Sequence, residues 1–348
     1  MTPILKPLAQ QTMVITGASS GIGLSTARAA AKAGAKLVLA ARSDDALQQL
    51  VEEINGSGGT ATHVAVDVAD EGELRTVAQV AIERFGGFDT WVNNAGVSIY
   101  GRLDQVPMDE FRRLFDTNFW GVVNGSLVAM EHLRNRGGGG AIINIGSTLS
   151  DRAIPLQGMY CASKHAVKGF TDALRMEIEE AGAPISVTLI KPAAIDTPYT
   201  RNAKNYLSEA PTNPPPVYAP GVVAETILYA ATHPVRDLFA GAGGKMISAM
   251  GSWAPRLTDR FMEKAMFKQQ HSGRPPRDRS QHALDRPSND LTERGEYDGH
   301  VAKMSFYNKA EMHPFLSGAL MAGAGLAIAA LVSGETKRPM RKRHARMW

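Results

Sequence analysis

Tyr160 and Lys164 lie four residues apart in the run Tyr160-Cys161-Ala162-Ser163-Lys164, and Ser147 stands thirteen residues before the tyrosine. A helix carries positions i and i+4 on one face, so this spacing sets an ammonium beside a phenol. A free tyrosine ionises at a pKa of about 10 and is a poor base at neutrality; a neighbouring cation favours its phenolate. The pair can therefore pass a proton, and Ser147 can hydrogen-bond the oxygen that receives it. Near the start of the chain stands Thr16-Gly17-Ala18-Ser19-Ser20-Gly21-Ile22-Gly23. Glycines at this spacing let a strand turn sharply into a helix. They also bring the backbone N–H groups of residues such as Ser19, Ser20 and Ile22 close to a pyrophosphate at the helix N-terminus. A dinucleotide site beside a proton-moving tyrosine is the equipment for passing a hydride to a carbonyl or from an alcohol.

The elements that must position these residues follow from apolar periodicity. Residues 13–16 read as a short buried strand running into the glycine turn, and the Ala-rich residues 22–33 as a helix ended by Gly34. Strands are predicted at 36–40, 62–66, 90–92, 141–145, 185–190 and near 237–239. Helices are predicted at about 44–55 behind a Ser43 or Asp44 cap, and at 70–85, 160–180 and 220–232, with one long or two abutting helices over 107–136. Short apolar strands alternating with helices predict an α/β fold. It is a Rossmann-type doubly wound parallel sheet of about seven strands with helices on both faces, plus a C-terminal extension.

The 348 residues suffice for one large α/β domain and an extension, and 44% apolar composition supplies a sizeable core. Cys161 is the single cysteine, so no intramolecular disulfide forms, which fits a reducing cytoplasmic setting. Residues 1–11 hold one lysine, two prolines and no long apolar run, so no secretory signal is expected there. The net charge of +4 is uneven: residues 256–348 hold 17 basic and 10 acidic side chains, the other 255 residues 21 and 24. The chain divides into a catalytic and dinucleotide-binding region (1–255), a polar arm or linker (256–312), an apolar helix (313–333) and a basic tail (334–348). Residues 315–332, FLSGALMAGAGLAIAALV, carry no charge and are at the short end of what crosses a bilayer. Two readings stay open for 315–348: membrane contact anchored by the basic tail, or a helix buried in packing or oligomerisation. Nucleic-acid binding by the tail ranks last, because Trp348 is its only aromatic residue.

After the second strand the chain reads Ala40-Ala41-Arg42. A carboxylate here would accept hydrogen bonds from ribose hydroxyls; Arg42 instead suits a 2′-phosphate, which favours NADP(H) over NAD(H). Asp67, after the third strand, is placed for the adenine amine, with the Val68 N–H beside it.

With these motifs in order, residues 11–244 resemble the short-chain dehydrogenase/reductase family, in its ordinary oxidoreductase branch. The resemblance makes Asn118, Ser147, Tyr160 and Lys164 a catalytic tetrad. It gives Asn94, Ala95 and Gly96 a place lining the cofactor, and Pro192, Ala193, Ile195 and Thr197 a place near the nicotinamide, with Thr197 on the carboxamide. It implies that Lys164 binds ribose hydroxyls, that Asn118 holds a water leading to Lys164, and that the protein forms a homodimer or homotetramer through the helices around Asn118 and Tyr160. One departure stands out: the family often has Pro-Gly where this chain has Pro192-Ala193, and the added methyl could shift the backbone there.

The substrate pocket is expected among Leu149, Ile154, Pro155, Leu156, Met159 and the loop 193–217 with Tyr199, Tyr206 and Leu207. Those walls suit a lipophilic ketone, aldehyde or secondary alcohol, with Ser147, Leu149, Ile154 and Tyr199 as contacts. Cys161 points away on its helix and reads as packing; the histidines show no metal-ligand spacing, so no metal is expected. The competing reading is a non-catalytic dinucleotide-binding sensor or scaffold recruited by its C-terminal tail.

Overall fold

The computed structural model describes residues 3–288 and 291–312. The chain falls into two units, Met1–Asn308 and Lys309–Trp348, and the first carries everything below. Residues 313–333 and 334–348, read as apolar helix and basic tail, lie outside the described residues. Among the described residues no helix is long and apolar enough to cross a membrane.

Seven strands build one parallel sheet: β1 (Thr12–Thr16), β2 (Lys36–Ala41), β3 (Thr60–Ala65), β4 (Thr90–Asn93), β5 (Gly140–Ile145), β6 (Ile185–Pro192) and β7 (Asp237–Ala240). Their spatial order is β3-β2-β1-β4-β5-β6-β7. The order reverses between β1 and β4, where Val14 pairs with Val38 on one side and Trp91 on the other. In sheets of this kind the crevice at that reversal, beyond the strand C-termini, is where a ligand fits.

Alternation along each strand decides which layer a residue joins. Met13 and Ile15 pack with Leu37, Leu39, Leu24, Leu47, Leu50 and Ile227. Val14 faces the opposite way, with Val38, Leu74, Val77, Val128, Leu133 and Ile178. The first layer contains α1 (Gly21–Lys32) and α2 (Asp44–Gly56), the second α3 (Glu71–Phe85). Between β4 and β5 run α4 (Met108–Phe115) and α5 (Gly121–Arg136), joined by a five-residue π turn, Asp116–Trp120. Next come α6 (Gly158–Glu180), packed in the second layer, and α7 (Pro220–Ala230), packed in the first. The pattern read over 107–136 as one or two helices is thus two helices around a wider turn.

Beyond β7 stand α8 (Ala242–Trp253) and α9 (Pro255–Gln269). The polar residues after α9 differ from the loose arm that their composition suggests. Leu284 is fully buried among Val97, Ile99, Val106, Phe111 and Leu114. Glu293 pairs with Arg28 at 2.7 Å and Arg294 with the buried Asp196 at 2.7 Å. Val301–Ala302 pairs in parallel with Val217–Tyr218, which pairs in turn with Ala194–Ile195. Glu293 and Arg294 meet partners distant in sequence, which a local composition cannot reveal.

Candidate active site

The glycine turn joins β1 to α1 at the reversal of strand order. Its conformation is held from β4: the Asn94 side-chain amide donates to the Thr16 and Gly17 carbonyls at 2.9 and 3.2 Å. The Thr16 hydroxyl donates to the Val92 carbonyl and accepts from the Asn94 and Ala95 amides. Gly23 is needed for close approach, since a Cβ there would lie 2.1 Å from the Gly17 carbonyl oxygen. Thr16 and Gly23 therefore shape the turn from behind, while Gly17, Ser19, Ser20, Gly21 and Ile22 line a cavity of about 320 Å³.

The same cavity is lined by Ser147, Tyr160 and Lys164. One face of α6 carries the last two, with the Lys164 Nζ 5.8 Å from the centre of the Tyr160 ring. Nζ donates to the Ile145 carbonyl at 2.8 Å, which fixes the lysine against the end of β5. Ser147 caps a short turn, its Oγ accepting from the Leu149 amide at 3.0 Å. Burial pushes the Tyr160 phenol up to about 12, against the opposing pull of the Tyr199 and Ser147 hydroxyls. Burial also lowers Lys164, to about 8. Tyr160 consequently rests as the neutral phenol at pH 7.

Asn118 sits in the π turn, fully buried, and does not line the cavity. Its side-chain oxygen accepts from the Val97 amide at 2.8 Å; its nitrogen donates to the Val97 carbonyl at 2.9 Å and to Ser163 Oγ at 3.3 Å. The amide thus clamps the chain after Gly96 to α6. Turns of this wider kind recur at functional sites.

A buried amide relay, which sequence reasoning missed, reaches the tyrosine from α9. Gln270 Nε2 donates to the Pro155 and Met266 carbonyls, both at 3.0 Å. Its oxygen accepts from Gln157 Nε2 at 2.8 Å, and Gln157 Oε1 lies 2.8 Å from the Tyr199 hydroxyl. Tyr199 also touches Ser98 Oγ at 2.8 Å and meets the Tyr160 ring edge-on, 5.5 Å between centres. The two glutamines are 113 residues apart, so no local motif announces them.

At the end of the cavity beyond β2, Arg42 donates to the carbonyls of Ala283, Leu284 and Arg286. Burial lowers its pKa, with Asp67 opposing. Asp67 itself is ion-paired with Arg113 and accepts from the Ala69 amide at 3.1 Å. Burial raises its pKa, but these partners outweigh burial and hold it below the ordinary carboxylate range. Val68, Asn94, Ala95 and Gly96 complete this wall.

At the other end, Pro192, the last residue of β6, and Ala193, Ile195 and Thr197 after it line the cavity. The methyl of Ala193 has room because glycines stand opposite: a Cβ on Gly241 would come within 2.9 Å of it, and one on Gly244 within 3.5 Å. The Ala193 amide keeps its bond to the Ala240 carbonyl at 2.9 Å. The space for this methyl is therefore kept by Gly241, between β7 and α8, and by Gly244 in α8.

Leu149, Ile154 and Tyr199 line the cavity with Ile247 and Met266. Leu207 and Leu156 pack instead with Tyr100 and Ala203, and Tyr206 and Met159 with Phe111 and Val106. Cys161 packs against Ile154, Met262 and Met266, its thiol pushed up to about 11 by burial.

Set against known proteins, the short chain dehydrogenase family profile matches residues 11–207. The chain belongs to the short-chain dehydrogenase family. The uncharacterized oxidoreductase YxnA of Bacillus subtilis is 47% identical over 320 residues, covering 92% of this chain and 90% of that one. A short-chain dehydrogenase/reductase of Burkholderia phymatum, solved in complex with NAD, superposes with a TM-score of 0.66 at 24% identity, covering 73% and 96% of the two chains. An alcohol dehydrogenase of the archaeon Thermococcus sibiricus, complexed with 5-hydroxy-NADP, gives 0.58 at 28% identity, covering 66% and 95%. The family profile ends at residue 207, so α7, α8, α9 and the segment that touches Arg42 lie beyond it. Among the described residues no group of three or more His, Cys, Asp or Glu side chains is arranged to hold a metal.

Proposed function

We propose that this short-chain dehydrogenase is an NADP(H)-dependent oxidoreductase that interconverts a carbonyl and an alcohol, with Tyr160 as general acid and base. The observation that carries the reading is one cavity lined by both the glycine turn and the Ser147, Tyr160 and Lys164 side chains. The residues present fit a dinucleotide: Gly23 lets α1 sit directly on the turn, and the wall runs from Arg42 past the turn to Thr197. The glycine turn would hold the pyrophosphate, Lys164 the ribose hydroxyls and Thr197 the carboxamide. The nicotinamide, when bound, supplies or accepts the hydride.

In reduction Tyr160 gives its proton to the carbonyl oxygen while Ser147 holds that oxygen by a hydrogen bond. In oxidation Tyr160 takes the proton back, helped by the Lys164 charge and by the Tyr199 and Ser147 hydroxyls. Asn118 positions the Val97 segment and, through Ser163, α6.

Arg42 supports the NADP(H) preference. A guanidinium carries five N–H groups; three are directed at backbone carbonyls, leaving donors for a 2′-phosphate. Leu149, Ile154, Ile247 and Met266 support a lipophilic ketone, aldehyde or secondary alcohol as substrate. Exposed Trp120, Leu127 and Met176, on the π turn, α5 and α6, support a homodimer or homotetramer through that face. Sedimentation equilibrium of wild type beside Trp120→Glu tests it.

Fluorescence titration with NADPH and NADH, followed by turnover on a panel of ketones and aldehydes, tests the main reading. Tighter NADPH binding and turnover that vanishes in Tyr160→Phe are expected. Binding without turnover on any carbonyl would instead favour the sensor or scaffold reading.

A further inference from the structure

Of the two described segments that flank residues 289 and 290, the first borders the cavity and the second contacts Gly21 and Thr197, which line it. Ala283, Leu284 and Arg286 offer their carbonyls to Arg42 at the adenosine side. Ala283, Pro287 and Ser288 line the cavity itself. The Thr292 carbonyl accepts from the Gly21 amide at 2.9 Å, at the start of α1 where the glycine turn ends. Arg294 then reaches Asp196, and the Gly295 backbone lies so close to Thr197 that a Cβ there would sit 2.4 Å from the Thr197 carbonyl oxygen. Contacts thus fall in succession on Arg42, Gly21 and Thr197, the positions read for the 2′-phosphate, the pyrophosphate and the carboxamide.

From this course we propose that segments 283–288 and 291–295 are the outer wall of the dinucleotide site, a binding element that the family's own motifs do not contain. The proposal rests on the reading above that the cavity takes NADP(H). The wall does two things. It borders the cavity at Ala283, Pro287 and Ser288 and braces Gly21 and Thr197 from outside, so loosening it loosens the surroundings of the bound cofactor. It also mounts Arg42: three neutral carbonyls fix the guanidinium plane without cancelling its charge, so its remaining donors present a preset cationic fork to the 2′-phosphate. Ribose hydroxyls carry no charge for that fork to answer, so loosening the wall affects a 2′-phosphate more than a 2′-hydroxyl.

The anchors are separable from the contacts. Leu284 holds the first segment by burial against Val97, Ile99, Val106, Phe111 and Leu114, and Glu293 holds the second by its pair with Arg28. None of these side chains lines the cavity apart from Val97. Gly295 is where a methyl forces the backbone away from Thr197.

The test is dissociation of NADPH and of NADH from the full chain, read by stopped-flow fluorescence, in wild type, Gly295→Ala and Leu284→Ala. Release of both cofactors at least tenfold faster in the variants, with NADPH accelerated more than NADH, is the expected result. Rates within twofold of wild type in variants that keep the wild-type circular dichroism overturn the proposal. Should either variant fail to fold, hydrogen exchange on wild type decides. Slower exchange across 283–288 and 291–295 with NADPH bound supports the wall, and unchanged exchange there, with protection confined to the glycine turn, rejects it. A wild-type protein that binds neither cofactor would fail the underlying NADP(H) reading, an outcome visible before any variant is compared.

Discussion

Tyr199 gives its hydroxyl proton to the side-chain oxygen of Gln157, 2.8 Å away. The direction is fixed from the far end of the relay. Both partners of Gln270 Nε2 are backbone carbonyls, so that atom must donate. The Gln270 oxygen must then accept from Gln157 Nε2, which leaves Gln157 Oε1 to accept from Tyr199. Tyr199 can stabilise an ionised Tyr160 only by turning this proton away from Gln157.

Opposite shifts follow for two variants. Tyr199→Phe removes a donor that favours the Tyr160 phenolate, so the pH limb on which alcohol oxidation rises moves upward. Gln157→Met releases the Tyr199 proton for Tyr160, so the same limb moves downward. A shift of about one pH unit each way is expected for a hydrogen bond to a charged group worth about 1.5 kcal/mol. Profiles of kcat against pH for both variants, with wild type, check the signs; shifts in the same direction would contradict the relay.

Lys164 is buried against the preference of its charge for water, and stability shows the cost. Burial lowers its pKa from the ordinary value of 10.5 to about 8 in the folded chain. The unfolded chain therefore binds more protons between pH 8 and 10.5, and folding stability contributed by this group rises with pH across that window. Below pH 8 the full penalty applies. Lys164→Met should be more stable than wild type at pH 7 by about 1–2 kcal/mol, after allowing for the lost bond to the Ile145 carbonyl. The advantage should shrink on going to pH 10. Denaturant unfolding at three pH values measures it, while turnover of this variant is lost.

Arg42 makes a prediction that separates the two cofactors. Arg42→Ala removes the cation but leaves the glycine turn intact. NADPH affinity should fall roughly 10- to 100-fold, the equivalent of a charge-assisted hydrogen bond of about 1.5–3 kcal/mol. NADH affinity should change by less than about threefold. Titration of both cofactors gives the ratio directly, and equal losses would show that Arg42 acts through the arm and not through the phosphate.

The legible parts of this molecule were those whose partners are close in sequence or whose period is simple. Val14 alternates with Met13 and Ile15, so β1 declares both layers of the core. Tyr160 and Lys164 share one helical face, and the seven-stranded order follows from strands alternating with helices. What sequence reasoning missed is long-range. Gln157 and Gln270 look like ordinary polar residues until α9 folds back over α6. Leu284 is one apolar side chain in a polar stretch, yet it is fully buried. The room for Ala193 comes from Gly241 and Gly244, some fifty residues later, and only the pairing of β6 with β7 brings them together.

Tyr100 offers a last test, of the cavity's polar balance. Its ring is fully buried and it lines the cavity, yet its hydroxyl has no hydrogen-bond partner among the described residues. Burial pushes the phenol far above its ordinary range, so the group is a neutral donor at every accessible pH. A buried hydroxyl without a partner costs about 1–3 kcal/mol of desolvation. Tyr100→Phe keeps the ring's packing against Leu156, Ala203 and Leu207 and removes that cost. The variant should therefore unfold at equal or higher denaturant concentration, a gain of up to about 1 kcal/mol, with cofactor affinity unchanged. A loss of more than about 1 kcal/mol would mean that the hydroxyl is bonded in solution, and the Tyr199 side of the cavity would then be wetter than its lining suggests.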